Sequence, residues 1–265
     1  MKRRGWLGGG LALAASAVWP GPAWAQGADP FDGDPFKSHQ WPELKKEFLG
    51  AQARSRFDAR VKVLGPAFAE DSMNVPISVS ADLPGVQRVM VLVDRNPIRK
   101  VLDLQPLVAL PGISFRFKLE QASPVRALVL TDDGVWHVGG TLVDASGGGC
   151  TAAGGARADA NWTQTLGQVT GRVYASPTPG GDSAARLRVR IMHPMDTGLV
   201  GGIPAFYVSK LSVRDGLDRE LLRIQTFEPV SENPVFSFDF AKPPAGPLRI
   251  VGVDNNGNRI DSRVE

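Results

Sequence analysis

Ile113-Ser114-Phe115-Arg116-Phe117-Lys118-Leu119-Glu120 decides the fold class. Its odd positions are apolar and its even positions polar. That is the period of two required of a strand with one buried and one wetted face.

Outward from it the same period recurs. Asn74 to Ser80 alternates with Val75, Ile77 and Val79 on one side, and Pro76 points to an edge position or a strand start. Val86 to Val93 is a mostly apolar run ending in the turn Asp94-Arg95-Asn96-Pro97. Val125 to Thr131 and Val135 to Asp144 flank a hairpin turn at Asp132-Asp133-Gly134. Only Trp41 to Gly50 reads as helix, with Pro42 in the first turn, Leu44 and Phe48 on one face and Gly50 as cap. Asp29 to Gln40 reads as a polar, extended lead-in.

Beyond residue 158 the pattern restarts. Strands are expected over Gly167 to Ala175, Ala185 to His193, Phe206 to Val213, Leu222 to Phe227, Val235 to Phe240, Leu248 to Asp254 and Arg259 to Val264. The expected class is all-β: two antiparallel sandwiches, over 30–146 and 159–265, with a short N-terminal helix.

Between the halves lies Gly147-Gly148-Gly149-Cys150-Thr151-Ala152-Ala153-Gly154-Gly155-Ala156, which holds the only cysteine of the 265 residues. Gly147, Gly148, Gly149, Gly154 and Gly155 lower the barriers to backbone motion and offer nothing to pack against. Residues 147–158 therefore read as a flexible tether presenting an accessible thiol. The bland readings are a small buried hydrophobe or a linker cysteine of no function.

The N-terminus reads as a signal peptide over residues 1–25: basic Lys2-Arg3-Arg4, an apolar run from Leu7 to Val18, and the small residues of Ala23-Trp24-Ala25. Arg3-Arg4 leaves general secretory and twin-arginine export both open. Cleavage removes three basic residues and no acidic ones, so the formal charge of +3 falls to about zero and gives no ground for a nucleic-acid partner. Export implies an oxidising compartment, the periplasm, with no membrane anchor after cleavage. An unpaired cysteine there is a reactive thiol or a site of intermolecular pairing.

His39, His137 and His193 show no metal-ligand spacing, and no nucleophile elbow, phosphate loop or dinucleotide fingerprint occurs. The cation nearest Cys150 in sequence is Arg157, so the thiol should titrate near about 8.5. That suits a carrier better than a hydrolase. His193-Pro194-Met195-Asp196-Thr197-Gly198 reads as a strand end turning through Pro and Gly, with a metal role for His193 and Met195 as the sharper alternative.

Here a resemblance enters. Ala69 to Pro76, Asp94 to Pro97 and the strand leading to Cys150 resemble the SoxY family. Ile191 to Gly198, Ile203-Pro204, Glu232-Asn233-Pro234, Phe236 to Phe238 and Asp254 to Gly257 resemble the SoxZ family. The whole is similar to fused SoxYZ-like carriers associated with quinoprotein dehydrogenases. The resemblance implies that the two antiparallel sandwiches are immunoglobulin-like, and that the chain is a non-enzymatic carrier without cofactor or metal, holding a sulfur intermediate on Cys150. It implies periplasmic sulfur-oxidation or dehydrogenase-system partners and a monomer whose two domains pair internally. The alternative is a non-covalent accessory module for a dehydrogenase. Here the cysteine is followed by Thr151-Ala152-Ala153, and the arm continues into a second domain instead of ending.

Overall fold

The computed structural model describes residues 29–158, 161–177 and 183–264. The expected signal peptide at 1–25 lies outside the described residues. Strand dominates the regular structure of the described chain, beside one helix of two turns, α1 (Trp41–Phe48), and a four-residue helix α2 (Trp162–Thr165). No described helix is long and apolar enough to cross a membrane.

The first half supplies β1 (Arg54–Phe57), β2 (Val61–Leu64), β3 (Phe68–Ala69), β4 (Val75–Ala81), β5 (Val86–Val93), β6 (Lys100–Gln105), β7 (Gly112–Phe117), β8 (Ser123–Thr131) and β9 (Val135–Ala145). The second supplies β10 (Val169–Pro177), β11 (Ser183–Ile191), β12 (Val208–Arg214), β13 (Glu220–Thr226), β14 (Val235–Phe240), β15 (Leu248–Asp254) and β16 (Arg259–Val264).

The halves do not simply lie against one another. One sheet runs β1-β9-β8-β5-β6-β13-β12-β15-β16, with β3 also on β9; the other runs β10-β11-β14-β7-β4-β2. Both cross the boundary, through β6–β13 and β7–β14. The physical reason is the unpaired N–H and C=O groups at the edges of β6 and β7, which the edges of β13 and β14 satisfy. Pairing is antiparallel except where β1 and β3 add to β9 in parallel.

Alternation explains the core between the sheets. Ile113, Phe115 and Phe117 of β7, Val75, Ile77 and Val79 of β4, and Phe236, Phe238 and Phe240 of β14 all face inward. With Leu187, Val213, Ile224 and Ile250 they form one apolar cluster spanning both halves. On the outer face of the larger sheet, Trp41 and Leu44 of α1 cover Met90, Leu92, Leu128, Trp136 and Val138.

The lead-in to α1 is not extended. It is a run of turns pinned by Arg126, whose fully buried guanidinium binds Asp34 and Asp94 bidentately at 2.7–2.8 Å. Phe36 and Trp41 stack on the same cation.

Candidate functional site

Strand β7 ends at Phe117, not at Glu120, and the three residues that follow build the wall of a site around Cys150. The turn after β5 holds this wall: Asn96 Nδ2 donates to the Lys118 carbonyl at 2.8 Å, and the Glu120 N–H donates to Asn96 Oδ1 at 2.9 Å. The Leu119 N–H donates to the Ser72 carbonyl at 2.7 Å. On the other side the Lys118 N–H donates to the carbonyl of Pro229, in the second half.

The segment leaving β9 folds back onto this wall. Gly148 N–H donates to the Glu120 carbonyl and Gly149 N–H to the Leu119 carbonyl, at 3.0 and 3.1 Å. One carboxylate then clasps the next turn: Glu120 accepts from the Cys150 N–H (3.0 Å), the Thr151 N–H (3.2 Å) and the Thr151 hydroxyl (2.9 Å). From the second half, the Thr197 hydroxyl donates to the Cys150 carbonyl at 2.7 Å, and Glu232 Oε2 accepts from the Ala156 N–H at 2.7 Å. Arg157 binds Asp196 and stacks on Trp162.

This arrangement overturns the accessible thiol. Cys150 is fully buried, with Sγ 3.5 Å from the Lys118 carbonyl. The glycines are there for close approach as much as for freedom. A Cβ on Gly149 would sit 2.1 Å from the Ser72 carbonyl oxygen, and one on Gly154 1.9 Å from Glu232 Oε1. Gly147 has φ +99° and lies under Glu120, Gly148 has φ +80° with open space around it, and Gly155 is only in ordinary contact with Glu232. The absence of large side chains, read as an absence of packing, is what lets the backbone pack here.

Burial also changes the electrostatics. The thiol is pushed up to about 12, first by desolvation and next by the Glu120 carboxylate, while Lys118 opposes the rise. Lys118 was expected on the wetted face, yet it is 2% exposed because the second half covers that end of β7. Its ammonium donates to the Met195 carbonyl. Desolvation lowers its pKa, against the pull of Glu232, Asp196 and Cys150. Sequence proximity pointed to Arg157 as the only nearby cation; Lys118 is brought in by tertiary structure alone.

His193 and Met195 are not presented as a metal pair. His193 Nδ1 accepts from the Met195 N–H at 3.1 Å, its ring packs on Phe206, and Nε2 lies 3.5 Å from Asp254 without hydrogen-bond alignment. Burial depresses this imidazole to about 4, so it is neutral at pH 7. Met195 Sδ accepts from the Val208 N–H. Among the described residues no group of three His, Cys, Asp or Glu side chains could hold a metal ion. His39 stacks on Phe31, and His137 binds Asp58 at 2.8 Å, both away from the thiol.

Stretches far apart in sequence thus converge on one residue. Ser72, Asn96, Lys118 and Glu120 come from the first half, and Met195, Thr197 and Glu232 from the second.

The profile of the family described as sulfur oxidation protein SoxY matches residues 45–150, and that of sulphur oxidation protein SoxZ matches residues 177–265. No curated protein matches the chain. Among solved structures, the sulfur carrier protein SoxY from Chlorobium limicola f thiosulfatophilum is similar at 16% identity, covering 40% of this chain and 90% of that one, with TM-score 0.35. A superoxide reductase (neelaredoxin) from Ignicoccus hospitalis is similar at 14% identity, covering 32% and 80%, with TM-score 0.29.

Proposed function

Residues 45–150 belong to the SoxY family and residues 177–265 to the SoxZ family, and from that premise we propose that Cys150 bears a covalent sulfur intermediate which the chain presents to partner enzymes in the periplasm. The two families give the chain a carrier role in sulfur oxidation. The covalent attachment, the residue and the compartment are the steps added here.

One observation carries the residue assignment. Cys150 is the last position of the SoxY match, the only cysteine in the sequence, and the point on which both halves converge. A thiol sulfur can take a further sulfur or a sulfonate reversibly. The compartment rests on Lys2-Arg3-Arg4, the apolar run and Ala23-Trp24-Ala25.

In the closed geometry the thiol is protonated and shielded. Attack on a sulfur electrophile needs the thiolate, so the arm must lift before Cys150 is loaded. Lifting exchanges the Glu120, Thr197 and Glu232 contacts for water and returns the thiol toward its ordinary pKa. A carrier of this kind holds cargo while its partners supply the chemistry. Sulfur-oxidation proteins are the partners expected, with dehydrogenase-system proteins as the finer possibility raised by the fusion.

Intact mass of the protein purified from its native host under alkylating quench tests the reading. Discrete sulfur adducts on Cys150, absent from Cys150→Ser, are expected. A bare thiol in every growth condition would refute the covalent step and leave a non-covalent accessory module.

A further inference from the structure

We propose that the closed arm accepts only the bare thiol, so that loading a sulfur group on Cys150 lifts residues 147–156 off the protein and displays the cargo. This rests on the carrier reading.

The first argument is volume. Cys150 is fully buried, with Sγ against the Lys118 carbonyl. The neighbouring Gly149 has backbone oxygens of Ser72 and Leu119 within 2.6 Å of where a Cβ would be, so the turn has no room to shift toward the wall. None of the described cavities is lined by Cys150. A persulfide adds one heavy atom at Sγ and an S-sulfonate adds four, and well-packed interiors resist even a methylene.

The second argument is charge. Among the described residues Lys118 is the cation that acts on the buried thiol, with Glu120 beside the thiol and Glu232 and Asp196 beside the ammonium. Asp196 is already paired with Arg157, so the one ammonium faces two further carboxylates and nothing is left to balance another anion. An S-sulfonate would bury its charge beside them, which is unfavourable unless it is paired.

The third is that the contacts holding the arm down are reversible hydrogen bonds. They are the Gly148 and Gly149 N–H bonds to the Glu120 and Leu119 carbonyls, the Glu120 clasp, the Thr197 bond to the Cys150 carbonyl and the Glu232 bond to the Ala156 N–H. They can yield while the sheets on either side stay intact. The arm is thus a latch keyed to the chemical state of its own cysteine: unloaded, it hides a thiol from oxidants; loaded, it cannot close.

Hydrogen exchange read by mass spectrometry tests this on the full chain. Five amides bonded from the arm to the body report the closed state: Gly148, Gly149, Cys150, Thr151 and Ala156. Cys150 is converted to the S-sulfonate with tetrathionate followed by sulfite. The thiol loses its proton to solvent and the thiolate displaces thiosulfate from tetrathionate; sulfite then displaces the second thiosulfate, leaving Cys150–SO3−. Intact mass confirms one adduct per chain.

Exchange across 147–156 is expected to quicken on the order of ten- to a hundredfold over the free thiol, with β8 and β9 unchanged. Equal protection in the two forms overturns the proposal, as does a uniform loss of protection across the sheets. The carrier reading fails separately. If host-derived protein never carries a sulfur adduct while the sulfonated arm still lifts, the latch stands and the carrier does not.

Discussion

Replacing Thr197 by Val isolates the second half's hold on the thiol. The change keeps the shape of the side chain and deletes the hydroxyl that donates to the Cys150 carbonyl at 2.7 Å. It also deletes the acceptor of the Leu199 N–H at 3.3 Å, a longer bond within the same loop. Cys150 is fully buried, so in the closed arm its carbonyl is left without a partner, whereas in the lifted arm it meets water. An orphaned buried acceptor costs about 1–3 kcal/mol, which multiplies the population of the lifted arm by about 5- to 150-fold. Iodoacetamide reads that population directly when the arm recloses faster than it reacts. The alkylation rate of Thr197→Val should exceed that of the parent by the same factor at constant pH. Thermal unfolding on the same samples separates local from global opening. An unchanged rate in a well-folded Thr197→Val protein refutes the clasp. A rate increase matched by an equal loss of global stability shows that the thiol is exposed by unfolding and not by the arm.

Four further outcomes follow from the same geometry. Burial raises the closed thiol to about 12 from an open value near 9, so the closed arm keeps its full advantage below pH 9 and loses it progressively as pH climbs toward 12; alkylation of the native protein should therefore keep rising past pH 9, where a freely exposed thiol levels off, and levelling at pH 9 contradicts the closed arm. Gly149→Ala places a Cβ 2.1 Å from the Ser72 oxygen, so it should dislodge the arm and raise thiol reactivity well above that of Gly148→Ala, whose space is open and whose cost is about 1 kcal/mol of backbone strain. Cys150→Ser exchanges a buried sulfur for a hydroxyl beside the Lys118 carbonyl and should lower unfolding stability by about 1–2 kcal/mol in a denaturant melt, against the near-zero effect expected of a side chain that touches nothing. Arg126→Met strands Asp34 and Asp94 in the interior and should cost about 3–5 kcal/mol, visible as a drop in melting temperature with loss of order at the lead-in.

Most of the strands were legible because their cores are filled by simple alternation. Val86–Val93 and Val235–Phe240 are found over the residues expected, and α1 spans Trp41–Phe48, with Gly50 just beyond it at φ +99°. The short β1, β2 and β3 escaped because two to four residues carry too little period to read. β6 escaped because Lys100-Val101-Leu102-Asp103-Leu104-Gln105 does not alternate. Pro76 pointed to an edge, yet β4 lies between β7 and β2; β2 pairs only with Ser78–Ala81, which leaves Pro76 with a neighbour on one side.

The site was half legible. Cys150 and its glycines were visible as composition, but composition could not show that Leu119, Ser72 and Glu232 come close enough to make small residues obligatory. Lys118 and Glu120 sat in a strand pattern that marked them as wetted. Lys118 is met by Pro229 and Met195, more than seventy positions away, and Glu120 by Gly148, Cys150 and Thr151 of the folded-back segment. The polar turn Asp94 to Pro97 was read as punctuation, while Asn96 holds the wall behind the thiol and Asp94 anchors Arg126.

The pairing of β6 with β13 and of β7 with β14 bears on why the two halves share one chain. Taken singly, each half would present raw strand borders in both of its sheets, the kind of surface that recruits stray chains into aggregates. Two separate polypeptides could mask these borders only by meeting, and dilution would unmask them. Joined by the segment between Ala145 and Val169, each border has its mate at an effective concentration on the order of millimolar, whatever the abundance of the protein. The linker that carries the thiol therefore also sets the stoichiometry at one to one and makes the seam independent of dilution.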